Sequence, residues 1–185
     1  MDERELIRQM KSGDRASFDQ IYVKYHVPLF QSAYLICGNR EDAEDVLQDT
    51  FVTCWLCIGQ LRKEESFRCW IFRIMTQTAR KRAKERGRQL PDEDIVSRMD
   101  QIAVSRSMET VDEYERTADK TVLEAALSAL DQASREVIVL YYYEEMSVRE
   151  VAKTLGIFEG TVKSRLYFAR RKLKKILQKG GRREK

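Results

Sequence analysis

The 185-residue sequence predicts an all-α fold: two small helical domains joined by a flexible linker, the C-terminal one a helix-turn-helix. Three observations point there. Two prolines and eight glycines are too few to turn the chain of a β-rich fold. Apolar residues recur with helical period in residues 1–86 and again in residues 120–185. Between these blocks, 87–119 loses the period; residues 89–119 carry nine acids, three arginines and few large apolar side chains. Such a composition buries too little surface to offset chain entropy, so we read 87–119 as the linker, with transient helix at 107–117.

Each element has a local reason. Asp14 is placed to cap a helix in which Phe18, Ile21, Tyr22 and Tyr25 follow i, i+3, i+4, i+7. Pro28 is expected to end it and start a second helix, about 29–37, closed by Gly38. Asn39 then caps a long helix with the stripe Ala43, Val46, Leu47, Thr50, Phe51, Cys54, Trp55 and Ile58. A polar loop, "GQLRKEESFR", precedes a helix from about Phe67 that should bury Trp70, Ile71, Ile74 and Thr78.

In the second block, "TVLEAALSAL" and "SREVIVLYYYEE" read as apolar helices. Ser147 and Glu150 form an S-x-x-E capping box, where each side chain satisfies the other's backbone N–H. Gly156 stands where that helix must stop, because glycine takes the left-handed cap conformation cheaply. A final helix, about Thr161–Leu177, has the narrow stripe Val162, Leu166, Ala169, Leu173, Ile176. That stripe leaves Lys163, Ser164, Arg165, Tyr167, Arg171 and Lys174 outward. Helix, short glycine turn, helix is the helix-turn-helix pattern, whose second helix reads the major groove. A membrane-surface helix would need a wider, bulkier apolar face; a solvated charged face is the bland alternative.

Charge distribution narrows the function. The net charge is only +4, but seven bases face one acid from Trp70 to Arg88, and eleven face two from Glu159 onward. Two basic segments around an acidic one suggest two contacts with a polyanion. Arg73, Gln77, Arg80, Lys81 and Lys84 fall on one helical face suited to phosphates, with Gln77 able to reach a base edge. Glu41, Glu44, Asp45, Gln48 and Asp49 form an acidic ridge that DNA would repel and a basic protein would fit.

No run approaches the ~18–20 apolar residues of a membrane span, and "MDERELIRQM" is not a secretory leader, so a cytoplasmic protein is expected. Cys54-x-x-Cys57 is too little for a metal site, and Cys37 and Cys69 add no finger spacing; buried thiols are expected, with no metal and no cofactor. His26 reads as structural. No nucleophile–base pair or phosphate-cradling loop is present, so an enzyme is not expected.

The segment "LSALDQASREVIVLYYYEEMSVREVAKTLGIFEGTVKSRLYFARRKL" resembles the C-terminal domain of the extracytoplasmic-function (ECF) sigma factors of bacterial RNA polymerase. "NREDAEDVLQDTFVTCW" and "SFRCWIFRIMTQTARKR" resemble their N-terminal domain. The resemblance implies a chain that binds core RNA polymerase, recognises the −35 and −10 promoter elements and helps open the duplex. It carries Asp45, Gln48 and Asp49 over to core polymerase binding. It carries Arg62, Lys63, Ser66 and Phe67 to a loop that holds a flipped −10 base, and Arg73, Gln77, Arg80, Lys81 and Lys84 to −10 DNA.

The resemblance assigns Lys163, Ser164 and Arg165 to −35 recognition and Arg171 to phosphate. Tyr167 and Phe168 replace a commonly polar or basic pair; Phe168 either meets a thymine methyl or packs on its own domain. Gln77 stands where the family commonly has Asn, Lys81 where it has an acid, and Phe158 where it has Ser or Pro. The resemblance further implies an anti-sigma partner and association with the nucleoid through polymerase. A conventional helix-turn-helix regulator would instead bind duplex DNA alone as a dimer, and a helical adaptor would track nucleic acid without promoter selectivity.

Overall fold

The computed structural model describes residues 2–89 and 124–180, and every regular element among them is helical. Helix α1 (Glu3–Lys11) leads into α2 (Arg15–Cys37), α3 (Arg40–Cys57), single 3₁₀ turns at Ile58–Gln60 and Glu64–Ser66, and α4 (Phe67–Gln89). After helical residues 124–128 come α5 (Gln132–Ile138), a π turn (Val139–Tyr143), α6 (Val148–Leu155) and α7 (Glu159–Gly180). The expected transient helix at 107–117 and nearly all of the linker lie outside the described residues.

The caps expected from sequence form. The Asp14 carboxylate accepts from the Ser17 N–H, Asn39 accepts from the Asp42 N–H, and Gly38 closes α2 at φ 78°. The break expected at Pro28 does not occur: α2 runs unbroken from Arg15 to Cys37. A proline inside a helix forfeits one backbone hydrogen bond and crowds the preceding turn, at ~3 kcal/mol. Ile21, Tyr25, Leu29, Ala33 and Ile36 form one buried stripe on both sides of it. At roughly 1.5–3 kcal/mol for each large apolar side chain, that stripe outweighs the proline.

One hydrophobic core runs through both halves of the chain, from Ile7, Met10 and Leu29 to Leu140, Val151 and Val162. Helix α4 sits at its centre, against α2 and α3 on one side and α6 on the other. Double coverage explains why its buried set is wider than one stripe. Phe67, Phe72, Met75 and Thr76 are fully buried with Ile71, whereas Trp70 and Thr78 of the expected stripe are half-buried. Arg135 fastens the same junction: its guanidinium donates to the carbonyls of Leu127, Leu130 and Ile36, the last at 2.8 Å across to the end of α2.

Candidate nucleic-acid interface

The helix-turn-helix is built as its sequence requires. Glu150 Oε2 accepts from the Ser147 N–H at 2.8 Å while the Glu150 N–H donates to Ser147 Oγ at 3.2 Å. Gly156 ends α6 at φ 67°. Phe158 supplies no side-chain cap; its carbonyl takes the N–H groups of Thr161 and Val162 instead. Val162, Leu166 and Ala169 bury α7 against its domain, which turns Lys163, Ser164 and Arg171 to solvent and leaves Arg165 half-buried. Tyr167 is 59% and Phe168 63% exposed, so Phe168 does not pack into the domain. Arg170 lies over the rings of Tyr141 and Tyr142, at 5.8 and 5.4 Å from their centroids, and is held to its own domain.

On α4 the expected basic face divides. Arg73, Gln77, Lys81 and Lys84 are exposed, as are Arg62 and Lys63 in the preceding loop. Arg80 instead makes a two-pronged contact with Glu136 of α5, Nε to Oε1 at 2.9 Å and Nη2 to Oε2 at 2.5 Å. The Glu136 side chain has no exposed surface. Those hydrogen bonds raise the Arg80 pKa above its ordinary value, outweighing burial, which lowers it. The Arg73 guanidinium reaches Gly156, and a Cβ there would stand 3.1 Å from Arg73 Nη2. Ser66 Oγ accepts from Lys153 Nζ at 2.6 Å. Phe67, expected in the loop that holds a flipped −10 base, is fully buried beneath Tyr25, and its ring is part of the core.

A second acid completes the junction. Glu144, at the end of the π turn, accepts from Ser32 Oγ at 2.6 Å and from Arg68 Nη2 at 3.2 Å. Burial pushes its carboxyl pKa up; the Ser32 and Arg68 contacts work the other way. No pattern in "SREVIVLYYYEE" announces either buried acid, since their partners lie more than fifty residues away. A glutamate amid an apolar run was the one available signal.

On α3, Asp45 and Asp49 both lie by Arg82 of α4, at 2.9 and 3.4 Å, and Asp42 pairs with Arg86 at 2.9 Å. Gln48 is exposed on the rim of a groove of about 760 Å³ walled by Phe18, Tyr22, Leu47, Phe51, Trp55 and Leu56. The acidic ridge therefore borders an apolar trough. Charge reasoning missed it because α2 and α3 each contribute one wall, although Leu56, outside the α3 stripe and 75% exposed, was a clue.

Cys54 and Cys37 are each pushed up to about 12, chiefly by burial, which makes both poor thiolates. Among the described residues no three His, Cys, Asp or Glu side chains converge as a metal site. No described helix is long and apolar enough to cross a membrane.

Two family models match the chain: sigma-70 region 2 over residues 21–89 and sigma-70 region 4 over residues 120–173. The chain is 31% identical to the ECF RNA polymerase sigma factor SigM of Mycobacterium tuberculosis over 94% of its own length and 83% of that protein. It is 28% identical to SigW of Bacillus subtilis, over 93% and 95%. The structure is similar to CnrH solved with the cytosolic domain of CnrY, at 30% identity and a TM-score of 0.68, covering 95% of this chain and 97% of that one. In the sigma factor RpoE of Bartonella quintana, solved with the anti-sigma factor NepR, the fold recurs at 23% identity and a TM-score of 0.68, covering 87% and 96%. With both sigma regions present, in order, on a two-part helical body, the chain belongs to the extracytoplasmic-function family of RNA polymerase sigma factors, and its function is to direct promoter-specific initiation of transcription.

Proposed function

We propose that residues 1–86 bind core RNA polymerase and the −10 element while residues 120–185 recognise the −35 element, with 87–119 spanning the gap. Asp45, Gln48 and Asp49, with the adjoining apolar trough, form the polymerase-docking ridge. Gln77, Lys81 and Lys84, with Arg62 and Lys63, engage −10 DNA; Lys163, Ser164 and Arg165 read the −35 element, and Arg171 holds a phosphate. Core polymerase carries out the chemistry, and this chain is not an enzyme. It works in the cytoplasm, at the nucleoid when bound to polymerase, under the control of an anti-sigma factor.

The observation that carries this reading is the pairing of two basic helical faces, Gln77 to Lys84 on α4 and Lys163 to Arg171 on α7, with a separate negative ridge on α3. Arg80 cannot follow DNA phosphates while it holds Glu136. Bringing Arg80 onto DNA as well would require the C-terminal domain to leave α4.

Run-off transcription tests the function. Core polymerase with this chain should yield discrete start sites from a genomic promoter library. A library transcribed no more selectively than by core alone would remove the proposal.

A further inference from the structure

The exposed aromatic pair on α7 is the feature that family membership leaves unexplained. Tyr167 and Phe168 present 59% and 63% of their surface to solvent, and their rings meet edge-to-face with centroids 5.4 Å apart. Two adjoining aromatic rings left in water are an unspent apolar surface, and such patches mark contact sites. Neither is needed at home, since Val162, Leu166 and Ala169 already bury α7 against its domain.

The neighbours on the helix identify the partner. Side chains three and four residues apart share a helical face. Lys163 lies one turn before Tyr167, Ser164 one turn before Phe168, and Arg171 one turn after Tyr167; all three are exposed. From Ser164 to Arg171 the axis advances roughly 10 Å, about three base steps. The aromatic pair thus sits inside a face whose other members are a lysine, an arginine and a hydroxyl, which suits duplex DNA. In the major groove the one apolar group a base pair offers is the C5 methyl of thymine. The edge-to-face contact restrains both rings before any DNA arrives, which lowers the ordering cost of binding.

We propose that Tyr167 and Phe168 form an apolar clamp for thymine C5 methyls, making this chain require thymine at one or two adjacent positions of its −35 element. The proposal rests on α7 reading that element and adds what it reads. Arg171 holds a phosphate one turn beyond Tyr167, Lys163 reads the element one turn before it, and the aromatic pair supplies discrimination between thymine and cytosine, whose ring lacks the methyl.

The test uses the full chain bound to core polymerase on a promoter identified by run-off transcription. Each thymine of the −35 element is replaced singly by uracil, which removes only the methyl. At one or two adjacent positions the wild-type holoenzyme should bind about fourfold more weakly per uracil, the equivalent of one buried methyl at ~0.8 kcal/mol. F168A and Y167A, both changes at exposed positions, should bind thymine and uracil promoters equally while keeping helical circular dichroism. A uracil scan that is flat while base-pair swaps in the element still weaken binding would overturn the methyl clamp and leave −35 reading intact. Variants that lose affinity for both DNAs by the same factor would place the aromatic pair against protein instead, and would also overturn it. If base-pair swaps themselves have no effect, α7 does not read the element, and the clamp falls with that reading.

Discussion

Arg80 on α4 grips Glu136 on α5 with two parallel hydrogen bonds, although the two residues stand fifty-six positions apart and belong to different sigma regions. The pair is asymmetric. Glu136 has no exposed surface, whereas 41% of the Arg80 side chain faces solvent. That asymmetry sets what each half is worth.

Removing the arginine should cost more than removing the acid's charge. R80A strands a buried carboxylate, a loss of about 3–5 kcal/mol. E136Q leaves an arginine that can turn to water and an amide that still accepts a hydrogen bond, for about 1–2 kcal/mol. Denaturant unfolding of the two variants checks the order. Because parting the domains would rehydrate Glu136, the R80A loss is capped by the free energy of that parting, so X-ray scattering should show an expanded but helical protein. Equal costs, or no expansion in R80A, would contradict the junction as described.

Reversing the acidic ridge should uncouple the chain from polymerase. With D45K and D49K together, co-purification with core enzyme should be lost while circular dichroism stays helical. The pairs these residues make with Arg82 are exposed, worth ~0–1 kcal/mol each, so their loss will not unfold the protein. R82A, which frees both carboxylates, should retain core binding. Retention of core binding by the double lysine variant would remove the docking assignment.

Arg165 is half-buried on α7, and the proposed function gives it a base-reading role. R165A should lower discrimination between the promoter and a −35-swapped competitor by about 1–3 kcal/mol. A parallel loss on both DNAs, with selectivity unchanged, would reduce Arg165 to a phosphate contact.

The α6 capping box should show in acid. Hydrogen bonds from Ser147 hold the Glu150 pKa below its ordinary 4.5. A carboxyl lowered by folding adds stability that is complete above its unfolded value and disappears as pH falls through the lower folded one. S147A should cost about 1 kcal/mol at neutral pH, with the gap from wild type narrowing below pH ~4. A gap that is constant down to pH 2 would show that the carboxylate plays no part.

Gly156 answers to two demands at once, its φ of 67° and the closeness of Arg73. G156A should destabilise the protein by more than ~1 kcal/mol, and part of that cost should vanish when Arg73 is shortened to alanine in the same chain. Strict additivity of the two changes would show that the Arg73 contact does not matter.

The sequence alone determined what depends on near neighbours. Helix starts at Asp14, Asn39 and Ser147, stops at Gly38 and Gly156, and the α7 stripe each rest on groups within one or two turns, and each was legible. The tertiary structure decided the rest. Whether Pro28 breaks α2 depended on apolar burial along its whole length; whether Phe67 met solvent depended on Tyr25 and the core around it. The trough beside Gln48 required two helices to be side by side. Most of all, helical spacing put Arg80 on an outward basic face, and only a second domain carrying Glu136 could draw that one arginine away from it. A periodic pattern tells which residues share a face; what covers that face is settled by distant parts of the chain, through burial and charge pairing that no local window contains.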